Sequence, residues 1–115
     1  MNEKLKLVVK ALDDLKLTDI RIFDFRSFSP HYDFQVLATG NSERQVGASV
    51  KHLYDSLPGY DMSKIEGAAE ARWILFDLGD IIVSVMHREE RDYYQLEKLF
   101  VQHEEILAKD LIDGI

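Results

Sequence analysis

The sequence of 115 residues contains no cysteine. Disulfide bonds, thiolate nucleophiles and cysteine-ligated zinc or iron are therefore excluded. Apolar runs of membrane-spanning length are also missing, and the opening Met-Asn-Glu-Lys-Leu-Lys leads into charged amphipathic sequence instead of a signal-peptide core. These absences predict a cytoplasmic protein that does not enter a membrane.

Proline and glycine are scarce, with two and six residues scattered along the chain. No linker, low-complexity run or internal repeat is visible, and 46% of the residues are hydrophobic. A chain of this length forms one core that buries roughly two-thirds of the surface exposed by the unfolded chain. We therefore predict a single domain over residues 1–115, with 104–115 as a candidate for a loosely attached C-terminal helix or tail.

Basic residues are in the minority, since 14 lysines and arginines stand against 21 aspartates and glutamates, giving a net charge of −7. Affinity for nucleic acid comes largely from cationic side chains that displace counterions, so direct nucleic-acid binding is disfavoured. The same field favours a basic protein partner.

Recognisable catalytic and metal-binding patterns are missing as well. The histidines lack the spacing of a zinc-binding pair: His31, His52, His87 and His103. Asp77 and Asp80 flank a tight turn, where two carboxylates can share a metal or act as an acid and base pair. Carboxylates at a hairpin tip are far more often solvated, so we predict no catalytic residue, no metal and no cofactor.

What the sequence does contain is a strong hairpin signal in its second half. Trp73–Asp77 and Asp80–His87 are rich in β-branched, aromatic and aliphatic residues, and only Leu78-Gly79 separates them. The glycine supplies a positive φ, so we expect a type II turn, or a type I turn with a glycine bulge, rather than type I′. Two antiparallel strands joined by a two-residue loop are predicted.

The strand period of two sorts the hairpin side chains onto two faces. One face is almost unbroken hydrocarbon and is predicted to be core: Ile74, Phe76, Ile81, Val83, Val85 and His87. The other mixes a large apolar surface with two carboxylates and a hydroxyl: Trp73, Leu75, Asp77, Asp80, Ile82, Ser84 and Met86. This second face is either a docking surface or a face that helices cover, and the pattern favours neither.

Helical and strand periodicities predict the remaining elements. They are a helix over 2–16, strands over 20–25 and 34–39, a helix from Ser42 to Pro58-Gly59, and a short edge strand near 62–65. A last helix begins at Arg88, with a buried side marked by Tyr93, Leu96, Leu99, Phe100 and His103. The apolar residues beyond it either continue that helix or form another: Ile106, Leu107, Leu111 and Ile112.

The junction before the second long helix contains Gly40-Asn41-Ser42. Ser42 is suited to cap the helix, with Gln45 reaching back to complete a capping box. Backbone amides at such a turn can hold an anion, so Gly40, Asn41 and Ser42 are a candidate anion-binding site. The simpler interpretation is that Gly40 only makes the turn, because the Walker and dinucleotide-binding patterns are missing.

Four stretches carry a resemblance to a known family. They are Asp19-Ile20 with Asp24 and Ser29-Pro30; Ala38-Thr39-Gly40-Asn41-Ser42-Glu43-Arg44-Gln45-Val46; Glu66-Gly67 with Trp73-Ile74-Leu75-Phe76-Asp77-Leu78-Gly79-Asp80; and His87 with Glu89-Glu90-Arg91, Tyr94 and Leu96-Glu97. In combination they resemble the ribosomal silencing factors, or Iojap-like proteins, over about residues 2–101. Departures from the family pattern fall in turns or flanks, at His31-Tyr32, Ala71 and Arg88.

The resemblance implies a mixed α/β sheet with helices on both faces, related in topology to nucleotidyltransferases but without their catalytic residues. It also implies a non-enzymatic translational repressor. Such a protein docks on large ribosomal subunit protein fourteen, blocks joining of the small subunit and lowers protein synthesis when nutrients are scarce. On this hypothesis the partner-binding residues are Trp73, Leu75, Asp77, Leu78, Asp80, Ile82, Ser84 and Met86.

Two alternatives stay open at this point. A nucleotide-handling enzyme would use Gly40 to Ser42 for phosphate and Asp77 or Asp80 for metal. A generic dimerisation module is also compatible with the sequence. A weak homodimer is expected, because the apolar side chains of the second hairpin face would form an unusually large exposed patch on so small a monomer.

Overall fold

A computed structural model describes residues 2–113, which form four α-helices, a 3₁₀ segment and six strands. The elements are α1 (Glu3–Asp14), β1 (Thr18–Asp24), β2 (Phe34–Gly40), α2 (Glu43–Ser56), β3 (Ile65–Glu66), β4 (Trp73–Asp77), β5 (Ile81–His87), α3 (Arg88–Tyr94), the 3₁₀ segment (Leu96–Phe100), β6 (Glu104–Leu107) and α4 (Ala108–Ile112). The sheet order is β3-β4-β5-β2-β1-β6; β2 and β5 are parallel, and the other neighbours are antiparallel. The predicted mixed α/β fold is confirmed. Within this part of the chain, no helix has both the length and the apolar character needed to span a membrane.

The main core lies between one face of the sheet and the helices α1, α2 and α4. Of the six hairpin side chains that alternation assigned to the core, His87 is 7% exposed and the other five are 0% exposed: Ile74, Phe76, Ile81, Val83 and Val85. On the opposite face a smaller cluster of Phe23, Phe25 and Leu37 is covered by the 3₁₀ segment. Helical elements therefore lie on both sides of the sheet, but the second side is covered only in part.

The hairpin loop is one residue further along the chain than predicted. The Leu78 amide donates to the Ile81 carbonyl at 2.9 Å, so the loop is Gly79-Asp80, and Asp77 pairs with Ile82 instead of Asp80. Gly79 has φ 91°, at the loop position that is positive in a type II′ turn. The pairing has moved by two residues, so every strand side chain keeps its predicted face. Burial of Leu78, 5% exposed, explains the shift.

The region after β5 departs from the predicted long helix. α3 ends at Tyr94 because Gln95 adopts a left-handed conformation with φ 51°. Tyr93 and Leu99, which were expected on a buried side, are 80% and 68% exposed. Glycine and proline, the usual signals for a helix end, are absent between Arg88 and His103. The prediction relied on periodicity alone and therefore made the helix too long.

Residues 104–113 also correct the sequence expectation. β6 pairs with β1 at the sheet edge, and α4 packs against α1 with Leu111 only 2% exposed. This part of the predicted loose tail is thus joined to the sheet and core, because Ile106 and Leu111 bury apolar surface there. Residues 114–115 of that prediction lie outside the described residues. The short edge strand is Ile65–Glu66, slightly later than expected.

Gly67 and Gly59 make a matched test of this backbone. Both have positive φ, 85° and 86°, but a Cβ on Gly67 would collide with the Trp73 carbonyl oxygen, whereas one on Gly59 meets nothing within 4 Å. We expect Gly59→Ala to lower the unfolding free energy by about 1–2 kcal/mol, and Gly67→Ala to lose roughly 1–3 kcal/mol more through overpacking. Urea unfolding measures both, and equal losses would contradict the close approach of Gly67 to β4.

Candidate partner-binding face

The uncovered part of the second sheet face lies over β4 and the adjoining end of β5. α3 packs over β5 and β2, and Ser84 and Met86 are accordingly 2% and 0% exposed. Trp73, Leu75 and Ile82 are only half-buried. Both alternatives for this face are therefore realised in part, since helices cover one end of it and leave an apolar surface at the other.

An aromatic pair borders that open surface. The ring of Trp73 lies 5.0 Å from that of Tyr94 at an interplanar angle of 52°, and Tyr93 meets Tyr94 edge-on at 5.0 Å. Tyr94 is 50% exposed, and Tyr93 more so. We call Trp73, Leu75, Ile82, Tyr93 and Tyr94 the docking face. Its two tyrosines belong to α3, which lies outside the hairpin, so the alternation of the hairpin residues could not predict their place on this face.

Two shallow depressions flank the Trp73–Tyr94 pair. One, of about 310 Å³, is lined by Glu66, Gly67, Trp73 and Leu75, and the other, of about 350 Å³, by Glu89, Glu90, Tyr93 and Tyr94. Each is lined by aromatic or apolar side chains together with at least one carboxylate. The indole N–H of Trp73 is buried without an acceptor among residues 2–113. Such a surface suits apolar side chains of a partner that also carries basic groups.

The hairpin-tip carboxylates have separate internal partners. Asp77 Oδ1 accepts from the Gly79 amide at 3.0 Å, and Asp80 accepts from the ammonium group of Lys4 at 2.8 Å. Leu78 faces the core and, like Ser84 and Met86, offers little surface. Of the eight predicted partner-binding residues, these three are therefore buried, Leu78 in the main core and Ser84 and Met86 beneath α3. The pairing of Asp80 with Lys4 competes with any external cation. A shared metal or an acid and base pair at the tip would have to displace these internal partners.

The Gly40-Asn41-Ser42 turn is hydrogen-bonded to Gln45. Ser42 Oγ accepts from the Gln45 amide at 3.1 Å, as predicted for the helix cap. Gln45 Oε1 accepts from the Asn41 amide at 2.8 Å, one residue earlier than in a standard capping box, and its Nε2 donates to the Leu15 carbonyl at 3.0 Å. The Asn41 and Gln45 amides are thus engaged within the protein, and anion binding at this turn stays a prediction.

Arg91 is a buried cation that helical periodicity did not single out. It is 3% exposed, and Nη1 donates to Thr39 Oγ1 at 2.7 Å and to the Asp19 carbonyl at 3.1 Å. Its Nε donates to Glu97 at 3.1 Å, while Nη2 lies 3.0 Å from Asp19 Oδ2 without hydrogen-bond geometry. Arg91 therefore ties α3 to β1, β2 and the 3₁₀ segment. In the sequence, Arg91 was marked only as part of the Glu89-Glu90-Arg91 stretch that carries the family resemblance.

Arg72, directly before Trp73, contacts carboxylates from two helices. It lies 3.2 Å from Glu43 of α2 and 2.6 Å and 2.7 Å from Glu89 and Glu90 of α3. Hydrogen bonds from the guanidinium lower the pKa of both α3 carboxyls, and the carboxylates raise the pKa of Arg72. His87 Nδ1 accepts from the Glu89 amide at 3.1 Å and caps α3.

The side chains of His87, Glu89 and Glu90 also converge as potential metal ligands, with ligand atoms within 4.8 Å of one another. Arg72 already pairs with the two carboxylates, and the Nδ1 lone pair of His87 is used by the helix cap. A divalent cation would have to displace both interactions. The arrangement in this part of the molecule is therefore that of an internal ion-pair network.

The fold and the docking face together define a small α/β protein whose distinctive feature is an exposed aromatic surface suited to a macromolecular partner. The sequence model of the family described as "Ribosomal silencing factor during starvation" matches residues 1–113. Ribosomal silencing factor RsfS of Bacillus subtilis is 42% identical over 104 residues, covering 87% of this chain and 88% of that protein. The chain belongs to the ribosomal silencing factor family, so the resemblance is confirmed.

Two further relatives extend the comparison. A crystal structure from Bacillus halodurans superposes with a TM-score of 0.81 at 38% identity, covering 93% of this chain and 99% of that one. A mouse protein named mitochondrial assembly of ribosomal large subunit protein 1 is 30% identical over 101 residues. Those residues are 82% of this chain but 43% of the mouse protein. The fold is thus shared with an experimentally determined structure.

Arg91 and Arg88 allow a matched test of the buried cation. Arg91→Ala leaves Glu97, Thr39 and the Asp19 carbonyl without their donor, so we expect the unfolding free energy to fall by about 3–5 kcal/mol. Arg88→Ala removes an exposed arginine from the same helix, and a change within ~0.5 kcal/mol is expected. Urea unfolding compares the two. Similar small losses would show that Arg91 does not hold α3 in place.

Proposed function

We propose that this protein represses translation by binding the large ribosomal subunit through ribosomal protein fourteen and sterically blocking joining of the small subunit. Membership of the ribosomal silencing factor family supports a silencing role at the ribosome. The observation that carries docking on a protein is the pair of half-buried Trp73 and half-exposed Tyr94 at the border of the uncovered part of the sheet. The proposal includes that the protein acts in the cytoplasm and lowers protein synthesis when nutrients are limiting.

The mechanism requires occupancy and not turnover. A domain with extents of 34 × 32 × 27 Å that is bound at a subunit interface prevents a second large body from approaching the same place. Its effect is then stoichiometric, and it ends when the protein dissociates. Dissociation rate is therefore the quantity that sets how long a large subunit stays silent.

Apolar anchoring and charge have different parts in the proposed contact. Trp73 and Tyr94 supply rigid aromatic area, and aromatic side chains are the anchors that commonly contribute most of the binding energy of an interface. Glu66 lines the depression beside Trp73, and Asp77 ends the same strand; with the net charge of −7 they favour a basic surface on the ribosomal protein. Such edge charges mainly change the association rate and its salt dependence.

The nucleotide-handling alternative is less well supported. Asp77 and Asp80 have separate partners at the hairpin tip, and Gln45 engages the turn that was considered for phosphate. A non-enzymatic role is therefore part of the proposal. A weak homodimer is also part of the proposal, because a second copy can cover the docking face and compete with the ribosome for it.

Tyr94→Ala and Tyr54→Ala test the docking face. Tyr94 is half-exposed beside Trp73, whereas Tyr54, 66% exposed, belongs to α2 on the other side of the sheet. Loss of a central aromatic anchor costs about 2 kcal/mol or more, so Tyr94→Ala should bind large subunits about thirtyfold more weakly and dissociate faster. Tyr54→Ala should bind normally. Co-sedimentation with purified large subunits measures both.

Trp73→Ala should behave like Tyr94→Ala provided that circular dichroism shows an intact fold. Full-strength binding by both docking-face variants would move the contact elsewhere on the molecule. Small-subunit competition completes the experiment: unhindered subunit joining at saturating protein would eliminate steric repression even if binding were normal. Enzymatic turnover with nucleoside triphosphates and magnesium would favour the alternative.

Asp77→Lys addresses the charged edge. Asp77 is half-buried on the open side of β4, and reversing its charge should slow association most at low ionic strength while changing dissociation little. Asp80→Lys is less direct, because it also breaks the pair with Lys4. Stopped-flow association at two salt concentrations checks this, and an unchanged rate at low salt would place Asp77 outside the contact.

A further inference from the structure

Arg72 is the residue through which the docking face and the start of α3 are connected. Its backbone carbonyl accepts from the His87 amide at 2.8 Å, next to the point where β5 becomes α3. Its side chain reaches three carboxylates on two helices, and Trp73 follows it in the chain. We propose that Arg72 is a positioning residue: it fixes the start of α3 beside β4 and so holds Tyr94 against Trp73. The consequence for ribosome binding rests on the proposed function.

The contacts are strongest toward α3. Arg72 Nη2 donates to Glu89 Oε1 at 2.6 Å, and Nε donates to Glu90 Oε2 at 3.0 Å. The bond from Nη1 to Glu43 of α2 is the longest, at 3.2 Å. A planar guanidinium can serve several carboxylates in this fixed geometry, which a lysine ammonium cannot reproduce. Arg72 thus acts chiefly on the helix that carries Tyr94.

α3 needs this support because it has only seven residues. A helix of that length has little stability of its own, so tertiary contacts decide where it lies. Arg91 anchors the middle of α3 to β1 and β2, but a helix held at one place can still pivot. Arg72 supplies the second attachment, at the start of the helix. Two attachments determine the direction of α3 and therefore the position of Tyr94.

The charges around Arg72 also indicate that it holds α3 in position. Without the cation of Arg72, the carboxylates of Glu43, Glu89 and Glu90 would face one another across the two helix starts. Their mutual repulsion would favour movement of α3 away from α2 and β4. Removal of Glu43 alone leaves both contacts to α3 intact. Arg72→Gln and Glu43→Gln are therefore a matched pair that separates positioning of α3 from a general loss of ion pairing.

The chain has one tryptophan, so intrinsic tryptophan fluorescence reports directly on the surroundings of Trp73. We expect Arg72→Gln to change this emission and to weaken binding to large subunits about three- to tenfold. Glu43→Gln should leave the emission unchanged and binding within about twofold. Circular dichroism controls for folding, and Arg72→Lys, which keeps the charge but loses the planar fork, replaces Arg72→Gln if that variant unfolds.

A charge exchange supplies the rescue. Arg72→Glu should weaken binding further than Arg72→Gln, and adding Glu90→Arg to Arg72→Glu should restore part of the lost affinity and the original Trp73 emission. Affinity that falls without any change in emission would mean that Arg72 touches the partner itself, and would overturn the positioning role. Failure of the exchange to recover either signal would also overturn it.

Acid titration provides a readout in the protein alone. Arg72 lowers the pKa of Glu89 and Glu90 below their ordinary value of 4.5, so its stabilising contribution is present above that pH. It is lost as the pH falls through the lowered values. Wild type should therefore have a higher unfolding free energy than Arg72→Gln at pH 7, and this difference should disappear as the pH falls below 4.5. A difference that persists in acid would contradict its origin in the ion pairs.

The same measurements separate this proposal from the function on which it rests. Normal ribosome binding by Arg72→Gln together with weak binding by Trp73→Ala would overturn the positioning role and leave the docking face intact. Normal binding by both variants would remove the docking face itself.

Discussion

The second face of the sheet depends on the burial of one cation, Arg91. A charge that is 3% exposed is tolerated only when it is paired and hydrogen-bonded, and Arg91 has its acceptors on Asp19, Thr39 and Glu97. These acceptors belong to β1, β2 and the 3₁₀ segment, so satisfying one side chain brings three parts of the chain to α3. The position of α3 on this face follows from that requirement together with the contacts of Arg72 at the start of the helix.

This constraint explains why the two faces of the sheet differ. One face packs against α1, α2 and α4 in a continuous apolar core. The other is covered where the acceptors of Arg91 draw α3 and the 3₁₀ segment onto β1 and β2, and it stays open over β4. Trp73 lies at the boundary, with Tyr94 beside it. The aromatic surface that we propose for docking is thus a by-product of incomplete coverage, and we propose that its acidic surroundings favour basic partners.

Local patterns were most informative where one physical requirement dominated. Alternation in the hairpin identified its core face correctly even though the loop was placed one residue too early, because a pairing shift of two residues preserves the faces. The Ser42 cap was predicted correctly because a serine directly before an amphipathic segment is a strong signal for a helix N-cap. The end of α3 was missed, since Gln95 adopts φ 51° without the glycine or asparagine that usually signals a left-handed helix end.

The sequence by itself determined the mixed α/β class, the two faces of the hairpin, the capped second helix and the family, because these depend on short-range periodicity, caps and motifs. Only the tertiary structure decided which part of the second face stays open, that Tyr93 and Tyr94 join it, and that Asp80 is paired with Lys4. Those outcomes depend on contacts between residues far apart in the chain. Local periodicity contains no information about where the partners of Arg91 will lie.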